Sequence, residues 1–350
     1  MGEHVSCVYN FCIFCYIIRQ EKSVEQASNE LREGKTYESS VDTQHVDVED
    51  LEEIPPPIDS VMYRQIAIDQ PRYVYFDIET TSLDRSCDII QLAAVCSEAV
   101  FNRYVMPNKA ITPQAQIVTN FQVLNGQLYY KQAPVNAITI AQCLAEFIQW
   151  LQDDVRGAIV LVGHNCKVFD APRLMNHIAL TGNLSAFSNA VVGFCDTLPM
   201  FRSVYKGQIK KFTQVNLAQC ILDKEYNAHN AEDDAKTLED IVQHSIATSE
   251  DLKKHSFSVE CVLQDTKRWQ SRKLNESSFD EMRDKNVCSA GIVNKMSSSG
   301  LSLRSLRAAC SRKGLSGIET LLSEKDSNGR IRVTKSKRII NAIYEFLQAK

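Results

Sequence analysis

Asp77 and Glu79 stand two residues apart at the end of a β-rich apolar run, Tyr73-Val74-Tyr75-Phe76. Strand alternation turns both carboxylates to one face. A pair of carboxylates on one face suits a hard cation such as Mg²⁺, which takes one or two carboxylates and completes its shell with water and phosphate oxygens. A third carboxylate lies in Gly163-His164-Asn165-Cys166-Lys167-Val168-Phe169-Asp170-Ala171-Pro172, where a buried strand passes into a helix. There Asp170 serves equally well as a helix N-cap, with Pro172 tolerated in the first turn, and His164 and Asn165 serve as turn residues. The fourth lies in His229-Asn230-Ala231-Glu232-Asp233-Asp234-Ala235. The helix macrodipole accounts for Glu232 and Asp233 in a first turn. Asp234 sits on the edge of the buried face, and a carboxylate turned toward a core needs a partner such as a metal ion.

The elements that position these groups follow from periodicity. Tyr73 to Phe76, Ile89 to Val95 and Phe101 to Met106 read as strands that open the domain in an antiparallel arrangement. Ile140, Leu144, Phe147, Ile148 and Leu151 recur at helical spacing, and Ala158 to Val162 reads as a buried strand ending at Gly163. Helices are expected around 171–181 and 231–247, with a short strand at Phe194-Cys195 between them. Strands followed by strands alternating with helices give an α/β architecture. Beyond residue 250 the strand signals fade, and Leu301 to Cys310, Ile318 to Leu322 and Arg338 to Leu347 read as short amphipathic helices. The expected organisation is a leader and acidic, Pro-containing linker over 1–70, largely disordered; a main domain over 71–248; a polar linker over 249–284; and a small basic helical domain over 285–350.

With 350 residues, 44% hydrophobic and 23% charged, the composition excludes collagenous, wholly disordered and polytopic membrane classes. The 12 cysteines are irregularly spaced, as expected of reduced thiols in an intracellular protein of the nucleus or cytoplasm. The net charge of −4 hides an asymmetry: residues 250–350 carry 20 Lys and Arg against 12 Asp and Glu, and the rest 19 against 31. Such a split suits a C-terminal third that meets a polyanion, and equally a solvated helical surface. The run Cys7 to Ile18 falls short of the roughly 20 residues that span a bilayer, so no transmembrane segment is expected. Met1-Gly2 with Ser6 and Cys7 fits a loose lipidation pattern. Cys12-x-x-Cys15 lacks a second Cys/His pair at finger spacing, so no zinc is assigned.

Taken in order, Phe76-Asp77-Ile78-Glu79-Thr80-Thr81, His164-Asn165 with Asp170, and His229 with Asp234 and Ala235 resemble the DEDDh 3′-to-5′ exonucleases of the ribonuclease H-like superfamily over residues 72–248. The three residues between His164-Asn165 and Phe169-Asp170, with Pro172 after them, look like the three-prime repair exonuclease branch. Val191 to Pro199 and Asn216-Leu217-Ala218 are similar to the exonuclease-like C-terminal domain of the promyelocytic leukaemia protein. That relative lacks the carboxylates that this chain keeps. Ser82 and Cys166 depart from the family, where a Gly is usual at both positions.

The resemblance implies a mixed sheet flanked by helices, with the small helical domain as an accessory. It also implies hydrolysis of phosphodiesters at 3′ ends with release of nucleoside 5′-monophosphates. Asp77, Glu79, Asp170 and Asp234 would hold two divalent cations, Mg²⁺ with Mn²⁺ able to substitute, and His229 would be the general base. Ile78, Thr80, Thr81, Leu83, His164 and Asn165 would contact substrate. The implied partner is single-stranded or 3′-terminal DNA, with RNA left open, and the other class of reading is a catalytically silent binding scaffold on the same fold.

Overall fold

In the computed structural model of the chain, the described residues are 54–63, 66, 70–226 and 228–349. The N-terminal apolar run, the lipidation pattern, Cys12-x-x-Cys15 and the acidic cluster of the leader lie outside them. β1 (Arg72–Thr80), β2 (Ile89–Cys96) and β3 (Ala99–Val105) form an antiparallel meander with Tyr75 opposite Val95 and Ala94 opposite Phe101. An insertion follows, made of α1 (Pro113–Thr119), a small sheet of β4 (Phe121–Leu124), β5 (Gln127–Tyr130) and β6 (Ala133–Pro134), and β7 (Ala137–Ile138), which pairs in parallel with β3. After α2 (Ile140–Trp150), β8 (Ile159–Gly163) pairs in parallel with β1. Then come α3 (Asp170–Leu180), α4 (Leu184–Ala190) and β9 (Val191–Asp196), parallel to β8. The chain continues through α5 (Thr197–Val204), α6 (Gln214–Leu222), α7 (Ala231–His244), α8 (Ser249–Lys254), β10 (Ser256–Ser258) and α9 (Val259–Asn275). The main sheet has seven strands in the order β10-β9-β8-β1-β2-β3-β7. It is the mixed, helix-flanked α/β sheet expected from the sequence.

Alternation along β1 divides the core. Val74, Phe76 and Ile78 join Leu144, Phe147, Leu161, Leu174 and Phe194 on one face. Tyr75 joins Val160, Val162, Phe201, Leu217, Leu238 and Ile241 on the other, so Asp77 and Glu79 share the face that α7 covers. The last β1–β8 pair is Tyr75 with Val162. Beyond it β1 runs on past the end of β8, and this opens a crevice at the carboxyl ends of two parallel strands, the usual ligand position in open α/β sheets.

Residues 249–284 are not a linker. β10 pairs antiparallel with β9, and its Phe257 stacks on Phe194 at 6.0 Å between centroids. α9 packs against α3 and, through Ser271 Oγ donating to Ser297 O at 2.7 Å, against α11 (Ala290–Ser298). Only Val259, Cys261, Val262 and Thr266 of this 17-residue helix are buried, which left little apolar periodicity to read. Residues 54–63, assigned to the disordered leader, are also bound. Pro55 O accepts from Arg332 at 2.8 Å, Ile58 O from Arg268 at 2.8 Å, and Ser60 N–H donates to Asp326 at 2.8 Å. An extended segment held through backbone groups has no side-chain period.

The C-terminal helices α10 (Asp280–Asp284), α11, α12 (Leu303–Ser323) and α13 (Lys337–Gln348) enclose a separate apolar cluster that includes Phe279, Met296, Leu306, Ile318, Leu322 and Ile343. The two helices expected at 301–310 and 318–322 are parts of α12, kinked at Lys313 and Gly314, where Gly314 takes φ +55°. No helix among the described residues is long and apolar enough to cross a membrane.

Gly193 is required where β10 joins the sheet: a Cβ there would lie 2.3 Å from Phe257 O. Gly193→Ala should lower stability by about 1–3 kcal/mol through overpacking, measured as a drop in the urea midpoint at unchanged m-value.

Candidate metal centre

Asp77, Glu79 and Asp234 each bring a carboxylate oxygen within 4.8 Å of the other two. Asp77 and Glu79 come from the end of β1, Asp234 from the first turn of α7, 155 residues further along the chain than Glu79. Asp170 opens α3 beside them. Its charge acts on Asp77 and Glu79, and it faces the Ile78 N–H. Glu79, Asp170 and Asp234 are buried.

Burial pushes all four carboxyl groups up, and repulsion from their neighbours in the cluster adds to it at Asp77 and Glu79. Asp77 is raised well above the usual carboxylate range by burial and then by Asp170, Asp234 and Glu79. Glu79 rises to about 8 by burial and the charges of Asp234 and Asp170. Asp170 rises to about 7 by burial, opposed by its backbone contacts and by Arg173. Asp234 is raised by burial and held back by the Tyr226 hydroxyl and the His229 N–H. The donor set is all oxygen, buried and short of positive charge, which fits divalent hard cations and not zinc in a Cys/His site.

The α7 carboxylate is positioned by its own N-terminus. Asn230 caps the helix through Oδ1, which accepts from Glu232 N and Asp233 N. His229 takes φ +74°, and its N–H donates to Asp234 Oδ2 at 2.8 Å. The His229 residue is exposed, and its charge bears on Asp234. Gln91 of β2, fully buried, accepts from Ala231 N at 3.1 Å and donates to Asn102 at 3.0 Å, which in turn donates to Glu232 at 2.6 Å. This chain ties the start of α7 to the middle of the sheet. Gln91 was visible in the sequence as the one polar residue inside an apolar strand, but its partner lies 140 positions away.

The expected substrate contacts divide. Leu83 is 81% exposed on the loop after β1. His164 is corrected: its Nε2 donates to Phe212 O at 2.7 Å and Nδ1 meets Thr197 Oγ1 at 3.0 Å, so the ring braces β8 against α5. Burial also lowers its pKa. Thr80 and Thr81 are likewise turned inward, Thr80 Oγ1 donating to Ser82 O at 2.8 Å and Thr81 Oγ1 accepting from Asp88 N at 3.0 Å. The Ile78 side chain lies in the core. Asn165 is exposed at φ +62°, its N–H donating to Asp196 at 2.9 Å. Two positioning residues were missed. Asp196, buried, gathers the N–H groups of Asn165, Lys167 and Leu198. Arg173, buried, donates to Phe169 O at 2.7 Å and to Leu83 O, and so joins the start of α3 to the loop after β1.

The family model described as the Exuperantia RNAse H-like domain matches residues 71–221. The model described as PML, C-terminal domain matches residues 275–350, downstream of the Val191–Ala218 segment on which that likeness was drawn. No curated protein matches the chain. Among solved structures, E. coli exonuclease I in complex with a dA16 oligonucleotide is 15% identical with TM-score 0.42, over 53% of this chain and 42% of that one. Exonuclease X in complex with 5′ overhanging duplex DNA is 16% identical with TM-score 0.33, over 52% of this chain and 98% of that one. The 3′-exonuclease that recognises the histone mRNA stem-loop is 16% identical with TM-score 0.37, over 50% and 81%. The chain spans half or less of the length of the exonuclease I structures it matches.

The four carboxyl groups are raised above their unfolded values near 4. Their penalty is therefore absent below pH 4 and grows as pH rises, the parts due to Asp170 and Glu79 being complete once pH has passed about 7 and 8. In EDTA, Asp234→Asn should raise the melting temperature at pH 8 above that of the wild type. Mn²⁺ should stabilise the wild type more at pH 8 than at pH 6, and Asp234→Asn far less at either pH, read by scanning fluorimetry.

Proposed function

We propose that the chain is a metal-dependent nuclease that hydrolyses the terminal phosphodiester at the 3′ end of nucleic acid, DNA favoured, and releases nucleoside 5′-monophosphates. The observation that supports this most is the convergence of Asp77, Glu79 and Asp234, with Asp170 alongside, in a ribonuclease H-like sheet. Nothing in the packing of a stable core asks for four carboxyl groups at one crevice, since their repulsion opposes folding.

Asp77, Glu79, Asp170 and Asp234 would hold two divalent cations, Mg²⁺ or Mn²⁺. Bound there, the cations supply the charge that makes water nucleophilic and stabilises the leaving 3′ oxygen. His229 is exposed at the α7 end of the crevice, its backbone fixed on Asp234. From there its neutral imidazole accepts the proton of the attacking water as general base. Asp234 keeps the imidazolium that forms near a negative charge. Leu83 offers the terminal base an apolar surface, a contact tolerant of sequence. Ile78 and Thr80 act through backbone groups, because their side chains face inward.

The test is a 5′-labelled single-stranded DNA and the same sequence as RNA, each with Mg²⁺ or EDTA. A ladder shortening from the 3′ end only with metal is expected, faster on DNA. His229→Ala should lower kcat by about 10²–10⁴-fold while keeping Mn²⁺ binding, and Asp234→Ala should lose both. A folded wild type that leaves both strands intact with Mg²⁺ and with Mn²⁺ would favour the silent scaffold.

A further inference from the structure

The loop that leaves β1 does not end in solvent. Arg85 pairs with Asp265 of α9 at 2.8 Å and donates to Thr266 Oγ1 at 3.3 Å. Lys273 of α9 donates to Ser86 Oγ at 3.2 Å. Between loop and helix lies a cleft of about 420 Å³ with seven polar or charged residues among its eight lining residues. The eighth is Trp269, half-buried, with the Arg85 guanidinium 5.3 Å and the Lys273 ammonium 5.2 Å from its ring centroid.

The lining sets Arg272, Lys273 and Arg283 against Asp84, Glu276 and Asp280, and Lys273 acts electrostatically on Asp84. Lys273 makes no ion pair within 4 Å among the described residues. Arg272 and Arg283 share the single carboxylate of Glu276, at 3.0 and 2.7 Å, and Arg283 also meets Asp280 at 2.9 Å. A guanidinium has five N–H donors, so both arginines can take a phosphate oxygen without abandoning their partner. An apolar small-molecule pocket has the opposite lining. An indole edged by cations is instead the pattern that stacks a base and holds its backbone.

Place and reach agree. Asp84 on the cleft wall is five residues beyond Glu79, at most about 17 Å of extended chain. A stacked strand advances about 3.4 Å per nucleotide, so at most about five nucleotides join the two. Leu83, 81% exposed, lies on the same loop. Past the cleft, Lys285 and Arg307 share Glu281 at 2.9 and 3.7 Å. Residues 285–350 hold 13 Lys and Arg against four acidic residues.

We propose that the cleft between the loop Ser82–Ser86 and α9 is a subsite for single-stranded nucleic acid, with Trp269 stacking a base and Lys273, Arg272 and Arg283 holding phosphates within about five nucleotides of the terminal one. The proposal rests on the nuclease reading of the carboxylate centre. It makes α9 the element through which substrate length is sensed.

The experiment measures binding of fluorescein-labelled dT12 in EDTA by anisotropy, and kcat/KM for dT12 relative to dT2 with Mg²⁺. Trp269→Ala with Lys273→Glu should weaken dT12 binding at least tenfold, lower the salt slope, and cut the dT12/dT2 ratio at least tenfold. Lys273→Glu alone should move both in the same direction, and Trp269→Phe with Lys273→Arg should restore most of each. Lys254→Glu on α8, an equal charge change at an exposed residue elsewhere, should move neither. Unchanged dT12 binding in the folded double variant overturns the subsite. The nuclease reading is judged apart from it, by wild-type hydrolysis of thymidine 5′-monophosphate p-nitrophenyl ester with Mn²⁺. If that fails, dT12 binding in EDTA still decides the cleft.

Discussion

Four carboxyl groups pressed together at the end of one strand repel one another, and much of the surrounding structure exists to hold them there. β1 lies at the centre of the sheet and past Tyr75 stays paired with β2, where Asp77 stands opposite Ala93 and Glu79 opposite Gln91, so both carboxylates are held on the face that α7 covers. Asp170 and Asp234 each sit in the first turn of a helix, where the positive end of the macrodipole offsets part of their charge. The remaining compensation is made of N–H groups and one guanidinium: Ile78 N–H and Arg173 on Asp170, His229 N–H on Asp234. None of these neutralises the cluster, and that residual charge is what a divalent cation would meet.

The second constraint is the loop after β1, which is tied at both ends and along its middle. Thr81 exchanges hydrogen bonds with Asp88 at 2.9 and 3.0 Å, and its carbonyl accepts from Thr112 N at 2.9 Å. Arg173 takes the Leu83 carbonyl, while Arg85 and Ser86 reach α9. α9 in turn carries the C-terminal helices. Boundaries drawn at 248 and 285 therefore set apart as a linker a helix that serves both the sheet and the helical module. The family model that begins at residue 275 starts at the last residue of α9.

What could be read from the sequence was whatever a local period determines. The alternation of β1 placed Asp77 and Glu79 on one face, and the apolar positions of α7 put Asp234 at the edge of the core. What could not be read was where a polar side chain turns once two distant segments meet. The family resemblance made His164 a substrate ligand, yet its ring is used by Thr197 and Phe212, 33 and 48 residues away. Thr80 and Thr81 turn inward to close their own loop. Residues 54–63 and 249–284 looked like linkers because they are held by backbone carbonyls, or bury only four side chains of a 17-residue helix, and neither leaves a hydrophobic period.

His229 joins these threads. A histidine at φ +74° is in the left-handed region, which costs a non-glycine residue about 1–2 kcal/mol. The gain that offsets it is a charge-assisted hydrogen bond from its N–H to Asp234, and such bonds contribute about 1.5–3 kcal/mol. The same backbone turn that aims the N–H inward at the carboxylate leaves the residue exposed at the crevice mouth. Asn230 then closes the helix end, and Gln91 pins the next N–H to the sheet. Backbone strain, cap and carboxylate thus form one unit.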